Sequence, residues 1–409
     1  MLTPNYKRTK FACFYANIAM ASVFCLPPVL FVTFKELYGI SYTLLGSLVL
    51  VNFCTQLIID LILSFFPNKF NIKKTITLMP LITALGLTIY ALSPFIFKNN
   101  VYFGLLIGTV IFSVAAGLNE VLTSPVIAAI PSDNPDRDMS ILHSLYGYGV
   151  VIVVIVSSLF LTLFGRENWM YLTLFLAVLP VIASILFSVS PIPQPSLTNN
   201  SGKSTSGKMG LALCVLLIFF GSAAENSMTN WISGYIEKAL NISKTLCDIL
   251  GLALFAVLLA LGRSYYAKKG KNIYKTLFLG MCGAVICYIV AAIAQNPVIS
   301  LVSCVLTGLA TSMLWPGSLI LMEEKFSYSS VAAFALMAAG GDFGGSIGPQ
   351  MLGAVADKVS LSSFGVYLSN LFSISPEQAG LKFSMLLAAL FPICGIVILL
   401  IIKRKIKNN

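Results

Sequence analysis

Twelve apolar stretches of about 20 residues follow one another along this chain, each long enough to cross a hydrocarbon layer of roughly 30 Å. They occupy 11–34, 42–65, 75–94, 102–129, 139–163, 168–189, 209–235, 243–263, 275–293, 298–320, 329–354 and 380–402. Lipid offers no hydrogen bonds, so backbone N–H and C=O groups in such a stretch must pair within it, and a helix is the element that does this. The expected fold class is therefore an all-α polytopic membrane protein with twelve transmembrane helices. The composition agrees, with 57% of the 409 residues hydrophobic and 10% charged, against about 25% charged in soluble domains. Pro27 and Pro28 interrupt the first run, but no small-x-small cleavage site follows, so the run reads as span one rather than a signal peptide.

Lysine and arginine decide which way the bundle faces. With both termini cytoplasmic, 19 of the 26 Lys and Arg flank the inner ends of spans and seven flank the outer ends. The positive-inside rule selects this orientation and a multi-pass place in the cell membrane. The net charge of +11 is then mainly a topology signal. Its scatter over short loops argues against nucleic-acid binding. The nine cysteines lack metal-ligand spacing and read as small apolar fillers. No P-loop is present. Nothing in the pattern indicates an enzyme, a bound cofactor or an obligate protein partner; membrane lipids are the expected surroundings.

The stretch PIPQPSLTNNSGKSTSGK at 191–208 has the composition of a flexible cytoplasmic linker. It divides the chain into an N-terminal six-helix bundle, 1–190, and a C-terminal one, 209–409. The halves correspond weakly: SFFPNKFNIKK at 64–74 follows span two, and GRSYYAKKGK at 262–271 follows span eight. Duplicated halves suggest alternating access by rocking two bundles around a central site.

On this plan the chain resembles the major facilitator superfamily over essentially its full length. The loop after span two keeps the basic residues of the family motif, Lys69, Lys73 and Lys74, without its acidic residue and glycines. A narrower resemblance, to the fucose permease and related sugar transporters, rests on GLNEVLTSP at 117–125, LHSLYGYG at 142–149 and AENSMTNWISGY at 224–235. It implies proton-coupled sugar transport, with Glu120 at the position of the acid implicated in that branch. The branch's further acid in span one has no counterpart near Val23 or Phe24.

Five charged side chains sit inside apolar spans: Asp60, Glu120, Glu225, Arg263 and Asp342. Such charges are costly in lipid and are usually turned toward a polar cavity or toward one another. Glu120 is the first candidate for proton coupling, because a carboxyl group alternately dried and wetted exchanges its proton as exposure changes. His143 in span five and Asp342 in span eleven are further candidates; antiparallel neighbours would bring His143 toward Glu120. The structural alternatives are a fixed salt bridge for Glu120, packing for His143 and a packing network for Asp342.

Asn52, Gln56 and Asp60 recur every fourth residue and share one face of span two. This makes Asn52 and Gln56 candidates for solute contact and Asp60 one for gating. In span seven, Glu225, Asn226 and Asn230 offer hydrogen bonds and Trp231 an aromatic surface suited to a sugar, against interhelical bonding and ordinary packing. Arg263 either pairs with an acid as part of a gate or snorkels to the headgroups. In span eleven, Gly341/Gly345 and Gly344/Gly348 allow close helix approach. Gly341 and Gly345 are therefore gating candidates. Trp315 and Pro316 in span ten suggest a constriction or bend.

The function expected is secondary active transport of a small polar solute, a sugar or sugar derivative, by proton-coupled symport, with sodium coupling as an alternative. An exporter of lipophilic compounds and a nontransporting membrane receptor or scaffold are the rival readings.

Overall fold

The structure is a computed structural model that describes residues 5–65, 70–133, 135–193, 208–243, 246–326 and 331–408; certain side chains within the helices, His143's among them, fall outside that description. Most of the expected linker is likewise outside it. The described residues are helical almost throughout. In chain order the elements are α1 (Lys7–Tyr38), α2 (Tyr42–Phe65), α3 (Ile72–Ile96), α4 (Val101–Ala128), α5 (Pro135–Phe164), α6 (Trp169–Ser188), α7 (Lys208–Leu240), α8 (Leu254–Lys269), α9 (Ile273–Ile293), α10 (Pro297–Thr311), α11 (Leu314–Phe326), α12 (Val331–Ser360), α13 (Ser363–Phe372), α14 (Pro376–Ala388) and α15 (Leu390–Asn408). A π-helical turn, Cys247–Ala253, runs directly into α8.

Among the described residues eleven helical segments are long and apolar enough to cross a membrane. The 30-residue α12 takes the place expected for span eleven. Several spans are not single rods. Pro27 and Pro28 lie inside α1 without ending it. Span ten divides into α10 and α11 and span twelve into α14 and α15, while the additional short helix α13 stands between spans eleven and twelve.

Local sequence sets the helix starts. Asn71 accepts the backbone N–H of Lys74 at 3.0 Å, and Asn272 accepts that of Lys275 at 3.0 Å. In each case a threonine hydroxyl, Thr75 or Thr276, then donates to the cap residue's carbonyl at 3.0 Å. Both sites read Asn-Ile-x-Lys-Thr, at 71–75 and 272–276, and they start corresponding spans of the two halves. Asn100 and Asn296 do the same for α4 and α10. An N-cap of this type contributes about 1 kcal/mol.

By packing, the chain divides into two compact units, Met1–Gly39 with Val51–Thr198, and Ile40–Leu50 with Asn199–Asn409. The start of α2 thus packs with the C-terminal helices. In the first unit an aromatic cluster closes one end: Phe34 meets Trp169 edge-on at 4.8 Å and Tyr90 at 5.8 Å, and the Trp169 indole N–H donates to Tyr38 Oη at 3.1 Å. In the second unit α7 and α12 run in contact along a glycine ridge. A Cβ on Gly340, Gly344 or Gly348 would lie 3.1, 2.1 or 2.7 Å from the carbonyl oxygen of Val215, Phe219 or Ala223. The matched four-residue steps show parallel helices touching backbone to backbone, as small-residue interfaces permit.

Candidate functional site

Within the first unit, the polar face of α2 lies against α4 in register. Ser113 donates to Asn52 Oδ1 at 2.6 Å, and Gln56 Nε2 donates to the same oxygen at 2.9 Å. One turn on, Gly117 admits close approach: a Cβ there would lie 3.0 Å from Ile59 Cβ and 3.1 Å from the Gln56 carbonyl oxygen. A further turn on, Asp60 and Glu120 are electrostatic neighbours. The four-residue period seen in span two is therefore answered by Ser113, Gly117 and Glu120 on α4, an arrangement only a pair of parallel helices can give.

Asn52 and Gln56 are buried, and the Asn52 side-chain oxygen is fully engaged. The two carboxylates differ. Asp60 is half-buried, and its Oδ1 is buried with no hydrogen-bond partner. Glu120 is exposed on the face of α4. No lysine or arginine pairs with either among the described residues.

Beside this pair runs a second polar chain that sequence reading missed. Thr123 donates to Asn119 Oδ1 at 2.8 Å, Asn119 Nδ2 to Asn17 Oδ1 at 3.1 Å, and Asn17 Nδ2 to the Leu142 carbonyl at 3.1 Å. It ties α4 to α1 and α5, one residue from Glu120 and one from His143. The signal was an asparagine inside each of two apolar spans. The backbone of His143 lies in α5; its side chain is among those not described.

The second unit holds an acid of the opposite character. Glu225 on α7 accepts from Arg263 Nη2 on α8 at 3.1 Å, and Arg263 Nε donates to the Ser312 carbonyl at 3.0 Å. That carbonyl is free because residue 316 is proline, which has no N–H to offer four residues on. The break between α10 and α11 follows, so the bend read at Trp315 and Pro316 is present and Arg263 satisfies its orphaned oxygen. The other Glu225 oxygen, Oε2, is buried without a hydrogen-bond partner.

The remaining span-seven candidates form a ladder. Asn230 Nδ2 donates to the Asn226 carbonyl at 2.9 Å, and Asn226 Nδ2 donates to the Ser222 carbonyl at 3.1 Å. This ladder faces α12, since a Cβ on Gly345 would lie 3.1 Å from Asn226 Nδ2. Trp231 is 2% exposed, donates its indole N–H to the Pro349 carbonyl at 2.9 Å and meets the Tyr42 ring edge-on at 5.3 Å. It sits as an interhelical strut. Gly341 abuts Trp315 rather than α7, so the glycines in backbone contact with α7 are Gly340, Gly344 and Gly348. Asp342 is half-buried on α12.

Among the described residues no group of His, Cys, Asp and Glu has the arrangement of a metal site. The described polar groups thus comprise amide and hydroxyl networks, a like-charged carboxylate pair at Asp60 and Glu120, and an ion pair at Glu225 and Arg263.

Similar architectures recur among solved structures. A bacterial homolog of the human lysosomal transporter Spinster superposes with TM-score 0.76 at 13% identity, covering 97% of this chain and 96% of that one. A D-xylose–proton symporter gives 0.74 at 14% identity, covering 95% and 97%. The E. coli fucose:proton symporter gives 0.58 at 14% identity, covering 95% and 99%. At these identities the likeness is one of fold, and it does not single out the fucose permease branch. No curated protein matches the chain. The profile of the Major Facilitator Superfamily matches residues 12–349, most of the length. The chain belongs to the Major Facilitator Superfamily.

Proposed function

We propose that this protein is a proton-coupled symporter of a small polar solute, a sugar or sugar derivative, with both termini in the cytoplasm. Secondary active transport by alternating access follows from family membership. The finer reading rests on one contrast. Glu225 has a fixed countercharge in Arg263, whereas Asp60 and Glu120 are like-charged neighbours with no countercharge among the described residues. Two carboxylates so close in a membrane repel when both are ionised, and a mobile cation relieves the repulsion. A proton is the favoured cation because the amides and hydroxyl that precede the pair on α2 and α4, Asn52, Gln56 and Ser113, are already bonded to one another. Asn52 and Gln56 in the first unit, and separately Asn226 and Asn230 in the second, are the proposed solute contacts, each exchanging a hydrogen bond it now makes within the protein for one to a polyhydroxylated solute, and Asp342 and His143 stand as secondary proton carriers.

The lysine and arginine asymmetry supports the orientation. One proton entering across 100 mV supplies about 2.3 kcal/mol, enough for roughly 50-fold accumulation of a neutral solute. The test is uptake into liposomes holding the purified protein, over a panel of neutral sugars and polyols, with proton and sodium gradients imposed separately. Accumulation under the proton gradient alone is expected. Accumulation under sodium alone would transfer the coupling to sodium, uptake that only equilibrates would remove coupling, and export of lipophilic cations in place of sugar uptake would overturn the substrate class.

A further inference from the structure

The helix α13 carries no charge, and neither do its flanks: residues 361–375 read LSSFGVYLSNLFSIS. Its large apolar side chains are bare. Leu361 is 89% exposed, Tyr367 61%, Leu371 57% and Phe372 54%, and the one buried residue of the helix is Gly365. At 100° per residue, Phe364, Tyr367, Leu368, Leu371 and Phe372 fall on one side, with Ser363, Val366, Ser369 and Asn370 on the other.

Position decides what covers that side. Two residues separate α13 from the end of α12, and three separate it from the start of α14. The segment Pro376–Arg404 that follows is long and apolar enough to cross a membrane. A helix about 15 Å long, tied this closely to two spanning helices, lies at the boundary between hydrocarbon and water. It is on the membrane face opposite the C-terminus, one crossing away. Phe364 packs edge-on against Phe383 of α14 at 5.3 Å, so the apolar side continues onto the crossing, where Leu386 and Leu390 are also exposed.

The local chemistry builds a finished helix rather than a loop. Ser362 accepts the Gly365 N–H at 3.1 Å, and Ser373, in the left-handed region at φ 52°, closes the other end with its N–H on the Ser369 carbonyl. Gly365 fixes the helix to the end of α12, because a Cβ there would lie 1.9 Å from the Val359 carbonyl oxygen. With its ends capped, α13 needs no water along its apolar side.

We propose that α13 is an interfacial helix whose Tyr367/Leu371/Phe372 side is buried among the phospholipid acyl chains just beneath the headgroups of that leaflet. Aromatic and aliphatic side chains at this depth, without charge, suit the boundary region irrespective of headgroup sign. The helix thereby anchors the ends of α12 and α14 to the leaflet and limits their tilt.

The test places an environment-sensitive fluorescent amino acid at Leu371 and, separately, at Asn370 in the full-length protein in phosphatidylcholine liposomes. Nitroxide lipids labelled near the headgroup and aqueous iodide serve as quenchers. The inference predicts lipid quenching at least about three-fold stronger at 371 than at 370, with iodide showing the reverse order. Equal quenching at both sites, or stronger iodide quenching at 371, overturns it. Protection at 371 that appears only as protein density in the liposomes rises also overturns it, in favour of contact between copies. A Gly365→Val variant, whose helix is pried from Val359, is expected to lose the difference between the two positions while the spans remain folded; persistence of the full difference in a stably inserted variant would show that the α12 seat does not set the orientation.

Discussion

A methyl group added at Gly344 gives the sharpest test of how α7 and α12 are held. The new Cβ would stand 2.1 Å from the Phe219 carbonyl oxygen, 2.8 Å from its carbon and 3.0 Å from its Cα. All three atoms are backbone, so no side chain can swing away. Reaching ordinary contact requires the helices to separate by about 1.3 Å, which strips the packing on either side of the ridge. Overpacking of this kind costs about 1–3 kcal/mol, and an unyielding backbone puts Gly344 at the upper end. Alanine returns about 1 kcal/mol through helix propensity. The net expectation for Gly344→Ala is a loss of about 2 kcal/mol, some 30-fold in the folding equilibrium. Gly345→Ala is the control: its Cβ would meet Asn226 Nδ2 at 3.1 Å and Ser222 Oγ at 3.3 Å, both ends of side chains that can shift by a few tenths of an ångström. It is expected to change stability by less than about 0.5 kcal/mol. The assay is the temperature at which detergent-solubilised protein loses its monodisperse peak. A Gly344→Ala protein as heat-resistant as the parent, or a larger loss for Gly345→Ala, would refute the ridge.

Three further outcomes are expected. Trp231→Phe removes the indole donor from the Pro349 carbonyl while keeping most of the ring contact with Tyr42, and should cost about 1 kcal/mol in the same melting assay; a drop in solute affinity at unchanged stability would instead make Trp231 a solute contact. Glu225→Ala and Arg263→Ala together should cost less than their separate losses by about 0.5–1 kcal/mol, a small coupling because the Arg263 side chain is 43% exposed; strict additivity would remove the ion pair from the account. Asn52→Ala and Ser113→Ala should likewise be non-additive in stability, since either one removes the bond they share at 2.6 Å, each partner keeping its second contact, Gln56 for Asn52 and the Thr109 carbonyl for Ser113.

Helices and their order were legible because lipid leaves the backbone one economical solution, and apolar length reports it directly. The cap at Asn71 and its copy at Asn272 were in plain view as a five-residue pattern, yet comparison of the loops alone set the halves in a looser alignment. Interhelical partners were not legible. The period of Asn52, Gln56 and Asp60 defines a face but carries no information about what meets it, and Ser113 and Gly117 are too ordinary to stand out from one sequence. Arg263 shows the same limit in another form: its pairing with Glu225 needs α8 beside α7, although the proline at 316 already announced a carbonyl in want of a donor. Glycines at 340, 341, 344, 345 and 348 contain two interleaved four-residue series, and only the packing shows which helix each meets: Gly340, Gly344 and Gly348 approach the α7 backbone, while Gly341 approaches Trp315.

In the proposed symport a proton moves with the solute through the Asp60 and Glu120 pair. It is tested most directly by measuring proton-driven accumulation and solute counterflow side by side, in liposomes holding the parent protein or Glu120→Gln, with folding checked by monodispersity. Counterflow needs solute binding and alternating access but no net proton movement, so it separates coupling from transport. Glu120→Gln is expected to retain counterflow within about three-fold, a change of roughly 0.6 kcal/mol, and to lose accumulation above the equilibrium level. Accumulation by Glu120→Gln equal to that of the parent would contradict it.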